Sequence, residues 1–220
     1  EAIREQAGVL QHSILGRMSH PKAIELAERL AAITPDGLEH VYFASDGASA
    51  TEAALKIAIQ FWANQGRPER HKFVALDEGY HGDTLGAVGV GFVPSFHWPF
   101  ENSVRKAYMA EAPHLARTAT DAEDRDRAIA AFASMERIVR EHHAALAGVI
   151  VEPLCQGAAV VRIYHPEYLR RLRALCDEYE LLLIADEIAV GFARTGRMFA
   201  CDCADITPDI LCLGKALTGG

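Results

Sequence analysis

Residues 181–186, LLLIAD, are apolar at every position until the run stops on a carboxylate. A strand with one wet face alternates polar and apolar residues. A continuous apolar run needs cover on both faces, as in a parallel sheet flanked by helices. AGVIVEP at 147–153 has the same character. KFVALDE at 72–78, DILCLGK at 209–215 and the short β-rich run HVYFAS at 40–45 are further strand candidates. Helical patterns lie between them: PKAIELAERLAAI at 21–33, opened by proline, ASATEAALKIAIQFW at 48–62, a charged helix over 122–143, and PEYLRRLRALCDEYE at 166–180. This alternation predicts an α/β fold, a mostly parallel sheet with helices on both faces, as one domain spanning 1–220. Residues 91–120, with prolines and aromatics, predict a long functional loop.

Half of the 220 residues are hydrophobic and 24% are charged, the balance of a globular protein with a real core. The net charge of −8 argues against a nucleic-acid partner, which calls for a basic face. It suits a cytoplasmic protein. The ten histidines make no HExxH or HxxxH pattern, and the five cysteines make no CxxC pair. No metal site is expected, and reduced thiols are. No apolar run is long enough to span a membrane, and no secretory signal is recognisable. The chain opens at Glu1 inside a helical pattern and stops at Gly220 straight after a motif, so an internal piece of a longer protein is expected.

In open α/β sheets, ligands bind beyond the carboxyl ends of the strands, and the candidate residues cluster there. Asp46-Gly47-Ala48-Ser49 joins a strand candidate to a helix, where first-turn amides attract an anion such as a phosphate; an ordinary glycine turn reads the same way. Asp186 ends a buried strand, where a carboxylate needs a partner: a protonated ring nitrogen, a helix cap or a salt bridge. Lys215 follows an apolar run and precedes glycines. Partial desolvation there would free its amine as a nucleophile toward an aldehyde, whereas most lysines are simply solvated. Tyr80, in Tyr80-His81-Gly82, could stack on a flat ring. His81 fits a structural hydrogen-bonding role. Ile188, two residues past Asp186, would share its side if the strand continued, either against a ring or as plain core.

Together, SDGASATEAALK, GYHGDTLGAVGVG, VEPLCQGA, LLLIADEIAVGFARTGRMFA and PDILCLGKALTGG resemble, in content and order, the class III (ω) aminotransferases of pyridoxal-phosphate fold type I. The match runs over essentially the whole chain. It implies pyridoxal 5′-phosphate as cofactor. It makes Lys215 the catalytic residue that holds the cofactor and moves the substrate proton. Asp186 then pairs with the ring nitrogen, Gly47 and Ala48 bind the phosphate, and Tyr80 and Ile188 pack on the ring's two faces. Tyr80 and Asp83 border the substrate, and Glu152 supports the site from behind. The turn reads SDGAS where a serine is expected before the glycine, so Asp46 brings a negative charge toward the phosphate. Within the class, the resemblance is strongest to members that move an amino group from S-adenosylmethionine to 8-amino-7-oxononanoate in biotin biosynthesis. An ornithine, γ-aminobutyrate or β-alanine type, or an inactive fragment, is the alternative. The resemblance further implies a homodimer. It places the N-terminal segment that helps wall the pocket, and the C-terminal small domain, outside this sequence.

Overall fold

The computed structural model describes residues 1–114 and 119–219. Residues 115–118 of the expected loop and Gly220 of the final motif lie outside them. The chain groups into two compact units, Glu1–Tyr42 and Phe43–Gly220.

The first unit carries α1 (Ala2–Val9) and α2 (Pro21–Ile33). Pro21 opens α2 where no intrahelical donor is missed, and the His20 ring nitrogen caps the Ala23 amide.

The second unit begins with α3 (Gly47–Asn64), followed by β1 (Lys72–Leu76), α4 (Leu85–Val90), α5 (Pro94–His97) and β2 (Tyr108–Ala110). Next come α6 (Asp121–His142), β3 (Leu146–Val151), and the two-residue strands β4 (Cys155–Gln156) and β5 (Arg162–Ile163). The unit ends with α7 (Glu167–Glu178), β6 (Leu182–Asp186) and β7 (Ile210–Cys212). A five-stranded sheet runs β2-β1-β3-β6-β7, with every neighbouring pair parallel. β4 and β5 form a small antiparallel pair.

The apolar strands are explained by double cover. Val74, Leu76, Val149, Val151 and Leu183 face a core shared with Phe132 and Met135 of α6 and Leu169 and Leu172 of α7. Their chain neighbours Phe73, Ala75, Ile150 and Ile184 face the opposite core, with Ala54, Leu55, Ala58 and Trp62 of α3. Trp62 also donates to the Ala147 carbonyl at 2.8 Å, tying α3 to the base of β3. α6 starts in a capping box between Thr120 and Glu123, and its first turn is acidic, as the helix dipole favours.

Some expectations are corrected. Residues 40–45 form no strand: they join no ladder, and Tyr42 is exposed. The strand expected through Lys215 ends at Cys212, because Gly214 packs on Ile188 and the chain then turns. The 91–120 segment is not one loop: it holds α5, a 3₁₀ turn over Trp98–Ser103 and the edge strand β2, whose three residues are too few to signal themselves in sequence. Among the described residues no helix is long and apolar enough to cross a membrane.

The chain leaves β1 toward β2 on one side, and from β3 works toward β6 and β7 on the other. Such a reversal opens a crevice between β1 and β3 at their carboxyl ends. At Gly148, paired with Leu182 across β3 and β6, a Cβ would collide with the Leu182 carbonyl oxygen. Gly148→Ala is therefore expected to lower the unfolding free energy of the full-length protein by about 1–3 kcal/mol, the usual scale for overpacking, measured by urea denaturation.

Candidate active site

Three carboxyl edges supply the site. The turn after β1 carries Tyr80, His81, Gly82 and Asp83; the end of β3 leads to Glu152; the end of β6 is Asp186. Asp186 is 4% exposed. Its Oδ2 lies 2.7 Å from His81 Nδ1, and its Oδ1 accepts the Ile188 amide at 3.1 Å. Burial alone would push the His81 pKa down. The hydrogen bond and charge of Asp186, with Glu152 behind, outweigh it and raise the pKa. Asp186 thus favours the protonated form of the His81 ring, and the carboxylate is anchored by two donors. Each carboxylate oxygen can accept a second bond, so the group can still serve a cationic ring donor.

Glu152 spans the β1–β3 crevice. One oxygen accepts the Tyr80 amide at 3.0 Å and the other the Gly157 amide at 2.9 Å. Burial raises its pKa against the pull of His81 and these amides. Glu187, next to Asp186, turns away from the site and accepts the Ala200 and Cys201 amides at 2.7 and 2.8 Å. The glutamate thus pins the following loop to the strand end while the aspartate stays in the crevice.

Glycines let the backbones converge. Gly82, at φ 116°, approaches α3 so closely that a Cβ would overlap Ala48. A Cβ on Gly47 or on Gly214 would in each case meet Ile188 Cγ2 at 3.1 Å. Ile188 is thus wedged between the 47–48 turn and the backbone just before Lys215. It lies beyond the end of β6, so it reaches this place through the turn held by Asp186 Oδ1 and not by strand alternation. Lys215 follows Cys212, the Cα partner of Asp186, by three residues. It starts a 3₁₀ turn at φ 41°, a costly conformation for a residue with a Cβ, and of the two environments open to it in sequence, it has the exposed one. The Asp46 carboxylate caps α3, accepting the Ser49 amide at 2.8 Å and the Ser49 hydroxyl at 3.0 Å.

Tyr80 donates its hydroxyl to Asp83 at 2.9 Å. Burial, then Asp83, pushes its pKa up to about 12, so it stays a neutral donor. Sequence reasoning missed the His81–Asp186 pair. The signal was a histidine one residue after a candidate ring-stacking tyrosine, and only the fold brings it to a residue 105 positions away.

A buried, doubly anchored carboxylate, a lysine three residues past its strand partner, a glycine-lined helix start and an aromatic turn make up the candidate site. The sequence matches the aminotransferase class-III family over residues 1–220, and the chain belongs to that family. It is 42% identical, over its whole length, to the adenosylmethionine-8-amino-7-oxononanoate aminotransferases of Staphylococcus aureus and of Geobacter sulfurreducens. It spans about half of these relatives, 49% of each. The solved enzyme of that name from Methanocaldococcus jannaschii superposes with a TM-score of 0.89 at 37% identity, covering 100% of this chain and 48% of that one. An amine transaminase from an uncultivated Pseudomonas species, solved with PLP bound, superposes at 0.87 with 32% identity, covering 98% of this chain and 50% of its own.

The His81–Asp186 pair predicts a definite pH dependence. A raised folded-state pKa gives stability that is fully present below the ordinary histidine value of about 6.5 and is lost as pH rises through the raised value. In urea unfolding of the full-length protein, the stability gap between wild type and His81→Gln is expected to be largest near pH 6 and to shrink toward pH 9. A gap that is constant or widens would refute the charged pair.

Proposed function

We propose that the full-length protein transfers an amino group from S-adenosylmethionine to 8-amino-7-oxononanoate, giving 7,8-diaminononanoate, with pyridoxal 5′-phosphate as cofactor. The observation that carries this reading is the buried Asp186, hydrogen-bonded to His81 at the end of a strand whose register partner, Cys212, lies three residues before Lys215. The whole-length identity to relatives bearing that enzyme name supports the choice of substrates. When bound, the cofactor supplies an electron sink. The rest falls to this chain. Lys215 would hold the cofactor through its side-chain amine and, as a free amine, would move the proton from the donor carbon. Asp186 would pair with the cofactor's ring nitrogen, a carboxylate beside it favouring the protonated ring. Tyr80 and Ile188 would pack on the two faces of the ring, and Asp83 would border the substrate amine. Gly47 and Ala48 would offer amides to the phosphate, in competition with the Asp46 carboxylate that already caps this turn. The resemblance further carries a cytoplasmic homodimer with no nucleic-acid or membrane partner.

Product analysis of the full-length protein by mass spectrometry tests the reading. S-adenosylmethionine with 8-amino-7-oxononanoate should give 7,8-diaminononanoate, and Lys215→Ala should slow this by about 100- to 10,000-fold. Turnover confined to an ornithine, γ-aminobutyrate or β-alanine donor would point to another member of the class. Replacing Asp46 removes a negative charge beside a dianionic group, while serine keeps the helix cap. Asp46→Ser should tighten pyridoxal-phosphate binding several-fold in an equilibrium titration; weaker binding would mean that the phosphate does not sit at this turn.

A further inference from the structure

His97 lies 14 residues beyond Asp83 in α5, within a segment that carries no recognised motif. Its ring is nearly fully buried. The Val93 amide donates to its Nδ1 at 3.0 Å, so Nδ1 carries no proton. The proton of the neutral ring is therefore on Nε2, which lies 3.2 Å from Asp83 Oδ1. The other Asp83 oxygen accepts the Tyr80 hydroxyl at 2.9 Å. The two bonds converge on the carboxylate: Asp83 accepts from His97 through one oxygen and from Tyr80 through the other. The Tyr80 and His97 rings also lie nearly parallel, 14° apart with centroids 6.2 Å apart, and Phe92 and Phe96 pack on His97 at 5.9 and 6.0 Å.

The backbone reinforces this arrangement. Gly91, just before α5, sits so tightly on the turn after β1 that a Cβ would meet the Gly79 carbonyl oxygen and the His81 nitrogen at 2.9 Å each. The segment bearing His97 is thus seated on the turn bearing Tyr80. Asp83 differs from both rings, because 74% of its side chain is open. An open carboxylate on a flexible stem turns freely unless something holds it. Here a rigid buried donor holds one oxygen, and the second oxygen is left to fix the tyrosine.

We propose that His97 is a positioning residue for the substrate side of the site: through Nε2 it orients the Asp83 carboxylate, which in turn fixes the Tyr80 hydroxyl and presents an ordered negative charge to a cationic amine donor. The proposal rests on the reading of Tyr80 and Asp83 as substrate-bordering residues. His97 touches neither the reacting atoms nor the cofactor. Its loss should weaken donor binding and leave the chemical step nearly intact, as expected for an interaction made equally in ground and transition states.

Two readouts on the full-length protein test it. The first is steady-state kinetics with S-adenosylmethionine as varied substrate. His97→Asn keeps an acceptor for the Val93 amide but cannot reach Asp83; His97→Phe keeps the ring packing and loses both bonds. Each should raise KM for the donor by about tenfold or more, the scale of one lost charge-assisted hydrogen bond, with kcat changed less than about twofold. His97→Gln, whose amide can still donate to Asp83, should restore KM to within about threefold of wild type. The second readout uses cofactor-free protein labelled with 3-fluorotyrosine, the Tyr80 resonance being assigned by its loss in Tyr80→Phe. The fluorine line should shift in His97→Asn and His97→Phe and stay near the wild-type position in His97→Gln. An unmoved Tyr80 line in both donor-less variants overturns the proposal. So does a fall in kcat and melting temperature with KM unchanged, which would make His97 structural only. Should wild type show no transamination, the functional reading fails, and the fluorine comparison still decides whether His97 controls Tyr80.

Discussion

The buried pair of His81 and Asp186 is the interaction around which the site is assembled. Taking two charges out of water is costly, and a carboxylate at the end of β6 with no partner would be driven to protonate. His81 removes that penalty, and it comes from a different part of the sheet. The turn after β1 must therefore fold back over the end of β6, across the whole width of β3. Glu152, standing between them at the end of β3, binds the amide of Tyr80 and holds that turn down. One electrostatic requirement thus draws three strand ends into a single crevice.

Convergence this close requires missing side chains. Gly82 can meet Ala48 only because it has no Cβ, and Gly47 and Gly214 close on Ile188 for the same reason. Ile188 works as a spacer, setting the distance between the helix start of α3 and the turn into Lys215. Its position depends on Asp186, whose carboxylate accepts its amide and holds the turn that follows the strand. Lys215 then sits at positive φ at the rim, where a short 3₁₀ turn and not a strand carries it.

The site is built in two layers with different physics. The inner layer is buried and ionisable: Asp186, His81 and Glu152. The outer layer is Asp83, Tyr80 and His97, in which an open carboxylate is held between a neutral imidazole and a phenol. The inner layer suits a group whose charge must be kept. In the outer one the carboxylate can exchange solvent without leaving its two partners.

Much of the floor was legible in sequence. The uninterrupted apolar runs declared strands covered on both faces, because a residue facing water would have cost burial energy at alternate positions. Asp186, Lys215, Gly47 and Tyr80 stood out because a carboxylate, a lysine, a glycine or an aromatic at a strand end is either an expense or a tool. Asp46 signalled a departure from the family's turn, and its helix-capping role agrees with the ordinary preference of aspartate there. The run at 40–45 misled, because β propensity says nothing about whether a neighbour is present to complete a ladder. β2 was missed because three residues carry too little pattern. By itself, then, the sequence determined the class of fold, the family and the residues able to do chemistry, all of which follow from local composition and order. Only the tertiary structure decided that His81 partners Asp186 and that His97 holds Asp83, because pairings between distant strand ends are set by sheet order and backbone approach, which no local pattern encodes.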